Sequence, residues 1–121
     1  MMNGEPLILN VNKSRSNLKL LNKFISGDGY RIFTAEDLGE LDQCLDKEKP
    51  ELVLLDLTGF DQKIWKYCER MREMKIPFII ISPRRSAFIK QVSLARGAHN
   101  VLTKPLVINQ LLGLIRGLLE K

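Results

Sequence analysis

The sequence has few cysteine and histidine residues and lacks the common motifs of metal and nucleotide sites. Its 121 residues include two cysteines and one histidine, and neither a CxxC pair nor a Cys/His spacing typical of metal sites occurs. The sequence contains no Walker A motif and no GxGxxG motif. No apolar run approaches the length of a membrane span. These absences argue against a metal site built from cysteine and histidine, a nucleotide-binding enzyme and a membrane protein.

Charge and the beginning of the chain narrow the class further. The formal net charge of +5 permits an anionic partner, but the basic residues are scattered and no run of five occurs. Residues 1–6 lack the basic and apolar regions of a signal peptide. We therefore predict a cytoplasmic protein with one domain over residues 1–121, no membrane partner and no direct binding of nucleic acid.

Short apolar runs alternate with segments of helical periodicity along the chain. The runs that predict strands are residues 7–11, 30–34, 52–55, 78–81 and 101–105. A helical pattern, with apolar residues three and four apart, follows each of them. This order predicts an α/β fold with a doubly wound, five-stranded parallel sheet, that is, a flavodoxin-like (βα)₅ arrangement.

Phe88, Val92 and Ala95 mark the fourth helix. Cys44 and Cys68 lie in the second and third helical patterns beside apolar residues. We expect both to be buried, reduced thiols.

Polar residues follow several predicted strands at the point where each strand ends. Because right-handed crossovers bring the carboxyl ends of parallel strands to one edge of the sheet, these residues converge there. The predicted pocket contains Asn12, Lys13, Asp56, Ser82 and Lys104. Asp56 ends the central apolar run and is the first candidate for chemistry, although an Asp at this point also fits a simple turn residue.

Together the motifs resemble the receiver domain of two-component response regulators over residues 7–119. LVLLDL at 52–57 is similar to the family's phosphoacceptor strand, and IIS at 80–82 to its strand ending in Ser or Thr. ARGA at 95–98 and TKP at 103–105 are similar to its Gly-Ala and Lys-Pro signatures.

The resemblance implies a role for each pocket residue. Asp56 would be the phosphoacceptor, Ser82 the switch hydroxyl, and Lys104 the lysine that contacts phosphoryl oxygens. A Mg²⁺ ion would be held by Asp56, by the backbone carbonyl of Thr58 and by an acidic residue after the first strand.

The resemblance also implies partners. These are a histidine kinase or phosphotransfer protein, and an output protein on the face of the fourth helix, fifth strand and fifth helix. Homodimerisation is left open. The resemblance implies a signalling domain of a phosphorelay rather than an enzyme.

Several positions depart from the family pattern. Asn12 and Lys13 stand where the family has an acidic pair, and an ammonium group there would repel a divalent cation. Val101 occupies the position of the family's switch aromatic, and Pro83 stiffens the loop after Ser82. Two alternatives follow: either Asp56 is phosphorylated with Mg²⁺, or Lys13 pairs with Asp56 in a degenerate pseudo-receiver that binds proteins without phosphorylation.

Overall fold

The computed structural model describes residues 5–120, which form five strands and five helices in strict alternation. The predicted order is confirmed. The elements are β1 (Leu7–Val11), α1 (Arg15–Gly27), β2 (Arg31–Ala35), α2 (Leu38–Lys47), β3 (Leu52–Asp56), α3 (Ile64–Glu73), β4 (Phe78–Ser82), α4 (Ala87–Ala95), β5 (Asn100–Thr103) and α5 (Ile108–Leu119). Residues 1–4 and 121, on which parts of the single-domain and signal-peptide predictions rest, lie outside the described range.

All five strands belong to one parallel sheet in the order β2-β1-β3-β4-β5. Strands β1, β3 and β4 are buried along their whole length, as expected for apolar runs between two helical layers. Strand β2 is an edge strand and is largely exposed. The strand order reverses between β1 and β3, and this point is where parallel sheets form a ligand crevice.

Two hydrophobic clusters cover the two faces of the sheet. On β3, Val53 and Leu55 join the cluster that contains Leu41 of α2 and Met71 of α3. Leu52 and Leu54 join the cluster that contains residues of α1 and α5. This alternation follows the two-residue period of a strand, and it confirms the doubly wound architecture.

The predicted fourth helix is confirmed as α4, but two of the three apolar residues that mark it, Phe88 and Ala95, are exposed. Phe88 is 72% exposed, and Ser93 is the buried residue of the helix. Ile89 and Val92 are half-buried. The inward stripe therefore runs through Ile89, Val92 and Ser93, spaced i, i+3 and i+4, and the polar Ser93 hid this stripe in the sequence.

The cysteines are free thiols, as predicted, but they differ in burial. Cys68 is buried and Cys44 is half-buried, so the prediction of burial was wrong for Cys44. Burial raises the pKa of the Cys68 thiol to about 12. Among residues 5–120, no helix is long and apolar enough to cross a membrane.

Candidate functional site

Asp56 lies at the carboxyl end of β3 and is 2% exposed. Its Oδ2 accepts a hydrogen bond from Asn12 Nδ2 at 3.1 Å and forms an ion pair with Lys104 Nζ at 2.7 Å. Its Oδ1 accepts from the backbone N–H of Thr58 at 2.9 Å. We call Asn12, Asp56, Thr58 and Lys104 the Asp56 pocket. A buried carboxylate is stable here because both oxygens have donors and its charge is balanced.

Lys104 directly follows β5, which is separated from β3 by β4 in the sheet, and its side chain extends to Asp56. Its backbone N–H donates to the Ser82 carbonyl at 3.0 Å, which extends the pairing of β4 and β5 by one residue. Its Nζ also donates to Thr58 Oγ1 at 3.1 Å. The ammonium group thus joins the end of β5 to the loop after β3.

The orientation of the Asn12 amide is fixed by the start of α1. Asn12 Oδ1 accepts from the backbone N–H of Ser14 at 2.8 Å, so Nδ2 is the group that faces Asp56. The backbone N–H of Asn12 donates to the Ala35 carbonyl at 3.0 Å. An aspartate at position 12 would place a second carboxylate against Asp56, and this carboxylate would repel it unless a cation lay between them.

Lys13 lies outside the Asp56 pocket. Its side chain is exposed, and Nζ lies 5.0 Å from the centre of the Phe60 ring. Its aliphatic part packs on Gly59, where a Cβ would lie 3.1 Å from Lys13 Cδ and φ is +84°. Of the two alternatives, the one in which Lys13 pairs with Asp56 is therefore not found in the structure. Lys104 already balances that carboxylate, and a second ammonium in the pocket would lose hydration without a partner.

Ser82 is buried, but its hydroxyl points to the β4–α4 loop. Its Oγ donates to the Arg84 carbonyl at 2.6 Å and accepts from the Arg84 N–H at 3.4 Å. Of the five predicted residues, Asn12, Asp56 and Lys104 meet, whereas Lys13 and Ser82 make other contacts. Sequence reasoning considered only the carbonyl of Thr58. The Asp-x-Thr spacing was the signal for its amide contact, since Asp side chains commonly bond the backbone two residues on, whereas no local pattern signals the contact of its hydroxyl with Lys104.

The donors around Asp56 do not fit Mg²⁺. This ion prefers an octahedral set of oxygen ligands, with carboxylates among them. Asn12 Oδ1 is engaged by Ser14, and the Asp56 charge is balanced by Lys104. Within residues 5–120, no three His, Cys, Asp or Glu residues are grouped as metal ligands.

Comparison with known families and curated proteins gives consistent matches. The family model for the response regulator receiver domain matches residues 8–116. The chain is 31% identical over 117 residues to the KDP operon transcriptional regulatory protein KdpE of Escherichia coli, covering 94% of this chain and 51% of that protein. It is 27% identical over 116 residues to the alkaline phosphatase synthesis transcriptional regulatory protein PhoP of Bacillus subtilis, covering 94% and 48%. The chain spans about half the length of these relatives.

Solved structures share the fold at low sequence identity. A two-component response regulator from Clostridium difficile superposes with a TM-score of 0.89 at 21% identity, covering 97% of this chain and 98% of that one. HP1043, an orphan response regulator of H. pylori, gives 0.84 at 19% identity, covering 98% and 99%. At these identities the likeness shows the architecture alone.

Proposed function

The chain belongs to the response regulator receiver domain family, and from this premise we propose that Asp56 is its phosphoacceptor in a two-component phosphorelay. Receiver domains are signalling modules that interact with histidine kinases or phosphotransfer proteins, and as a family they bind Mg²⁺ in phosphorylation. The observation that carries the proposal is the position of Asp56, a buried carboxylate at the crevice edge of a central strand, 2.7 Å from Lys104.

The proposed chemistry is nucleophilic attack by an Asp56 oxygen on phosphorus. A phosphorus–oxygen bond forms, the bond from phosphorus to the donor nitrogen or oxygen breaks, and the donor keeps that electron pair. Such transfers depend on positioning and on neutralising the charge of the phosphoryl oxygens. Lys104, which contacts Asp56 Oδ2 and Thr58 Oγ1, is placed to provide a positive charge to these oxygens.

The absence of the family's acidic pair from this pocket affects the expected rate of Asp56 phosphorylation. Asn12 offers an amide in place of a carboxylate, and Lys13 holds its charge over Phe60 at the rim. Lys104 is then the main source of positive charge in the pocket. We expect phosphorylation of Asp56 to be slow and to depend weakly on Mg²⁺.

A second candidate is a phosphorylation-independent interaction module. It is favoured by the internal balance of the pocket, since the Lys104–Asp56 ion pair forms without phosphate. The Ser82 hydroxyl is engaged by Arg84, and Val101 offers no aromatic switch. In this candidate the Lys104–Asp56 ion pair holds the pocket in one state, and the partner-facing surface does not change with phosphorylation.

Two surfaces support protein partners in either candidate. A cavity of about 610 Å³ beside Asp56 and Lys104 is lined in part by α1, where Leu20 and Phe24 are 58% and 44% exposed. We assign this side to the phosphodonor protein, because it adjoins the acceptor. We assign the face of α4, β5 and α5 to the output partner, and the exposed Phe88 of α4 supports that assignment.

The test is the intact mass of the protein after incubation with acetyl phosphate, with and without Mg²⁺. We expect a slow gain of one phosphoryl group that is lost in Asp56→Asn. In the variant Asn12→Asp/Lys13→Asp, which restores the family's acidic pair, the gain should become faster and Mg²⁺-dependent.

The outcomes separate the two candidates. A gain in the restored variant with none in the wild type would overturn phosphorylation of the natural chain and support the second candidate. A gain that survives Asp56→Asn would show that another residue is modified, and would contradict Asp56 as the acceptor.

A further inference from the structure

A second cavity lies on the other side of the same sheet edge. It encloses about 360 Å³ between the β4–α4 loop, the first turn of α4 and β5. Its lining combines cationic groups with hydroxyl groups, and no carboxylate from residues 5–120 belongs to it. The lining includes the cations Arg84, Arg85 and Lys90, the hydroxyl residues Ser82 and Thr103, and Val101. We call this the basic cavity.

The small side chain at position 101 helps to keep this space open. In the sheet, Val101 pairs with Ile80, and Thr103 pairs with Ser82. Val101 stands where receiver domains resembling this chain have a switch aromatic, and an aromatic ring would fill part of the cavity. The Ser82 hydroxyl, which belongs to the lining, is hydrogen-bonded to the Arg84 carbonyl.

The three cations of the basic cavity are not balanced by the described part of the chain. Arg84, Arg85 and Lys90 are exposed, and none of them takes part in an ion pair within residues 5–120. Four other arginines do pair with carboxylates, namely Arg15, Arg70, Arg96 and Arg116. Like charges around one cavity create a positive potential that attracts an anion.

We propose that the basic cavity binds a small organic molecule that carries a phosphoryl group. Arginine suits phosphate oxygens because its planar donors bond two of them at once. The volume lies at the lower end of the roughly 300–1,000 Å³ range of small-molecule sites, so it holds more than a bare phosphate ion. The Thr103 hydroxyl is available to orient the uncharged part of the ligand.

The ligand would connect the β4–α4 loop and α4 with β5. It contacts the β4–α4 loop and Lys90 of α4 on one side, and Val101 and Thr103 of β5 on the other. Binding would therefore fix α4 against β5. No aromatic side chain at position 101 is present to do this. The inference does not require phosphorylation of Asp56, because Asp56 does not line this cavity.

Binding is measured by titrating ¹⁵N-labelled protein with glucose 6-phosphate at low ionic strength, with inorganic phosphate and glucose as comparisons. We expect saturable shifts of the amides of Ala87, Lys90, Val101 and Thr103 with glucose 6-phosphate. Inorganic phosphate should bind more weakly, and glucose should cause no shift. Absence of saturation with both phosphates would overturn the proposal.

Two variants distinguish a built site from general charge. Val101→Phe fills the cavity while keeping every cation, and Arg85→Gln/Lys90→Gln removes two cations while keeping the space. Each should weaken glucose 6-phosphate binding about tenfold or more. The thermal unfolding midpoint of each variant verifies that it is folded.

The matched control is Lys19→Gln/Lys23→Gln, which removes the same charge from α1. It should change the affinity less than about twofold, since only the long-range potential is altered. Equal weakening in this control, or unchanged binding in Val101→Phe, would show that no cavity site exists. Asp56→Asn should bind as the wild type does, so failure here is independent of failure of the phosphoacceptor proposal.

Discussion

The Asp56 pocket and the basic cavity lie on one edge of the same sheet, yet they treat charge in opposite ways. In the Asp56 pocket the carboxylate is buried, and both of its oxygens have donors from this chain. In the basic cavity three exposed cations form no ion pair with any carboxylate of residues 5–120. The pocket therefore offers little to a metal ion, whereas the cavity attracts an anion. A charge that already has a partner within the chain is less available to a ligand than an exposed charge without one.

The largest expected effect comes from Lys104→Ala. It leaves the buried Asp56 carboxylate without its cation, and should lower the free energy of unfolding by about 1–3 kcal/mol, with partial solvent access of Lys104 keeping the loss in that range. Urea denaturation measures this change.

The matched variant is Asp56→Asn/Lys104→Ala, in which no uncompensated charge remains. It should be more stable than Lys104→Ala alone, because the side chain at position 56 is then neutral. A Lys104→Ala protein as stable as the wild type would break the contrast between the two regions.

A smaller effect is expected at the rim of the Asp56 pocket. Lys13→Ala removes the contact with Phe60 and should cost about 0.5–1 kcal/mol in urea denaturation. The control is Phe60→Leu, after which Lys13→Ala should have little further effect. A loss as large as that of Lys104→Ala would mean that Lys13 supports Asp56 after all.

The smallest effect on stability is expected in the basic cavity. Arg85→Gln/Lys90→Gln removes two exposed charges without partners, so the free energy of unfolding should change by no more than about 0.5 kcal/mol. Reduced repulsion among the cations could make the variant slightly more stable. A clear destabilisation would show that these side chains support the fold, and would remove the contrast.

The convergence of Asn12, Asp56 and Lys104 was predictable because strand topology brings their positions to one edge of the sheet. Each ends or follows an apolar run, and parallel strands bring those ends together. The contacts of Lys13 and Ser82 were not predictable, since they depend on loop conformations that place Phe60 and Arg84 beside them.

The phase of α4 escaped prediction for a different reason. The residue it buries is the polar Ser93, while the large apolar Phe88 is exposed. The apolar periodicity of Phe88, Val92 and Ala95 therefore located the helix but not its inward stripe, of which only Val92 is a member. The basic cavity itself was not predictable, because the positions of Lys90 and of β5 beside Arg84 and Arg85 depend on the fold.

The most direct test of the Asp56 pocket is a Mg²⁺ titration followed by the amide resonance of Thr58, whose N–H donates to Asp56. In the wild type we predict no saturable shift into the high millimolar range, because Lys104 and Asn12 occupy the carboxylate. In Asn12→Asp/Lys13→Asp we predict saturation. Saturable binding of Mg²⁺ to the wild type at low millimolar concentration would contradict the prediction that Lys104 and Asn12 keep a divalent cation from binding to Asp56.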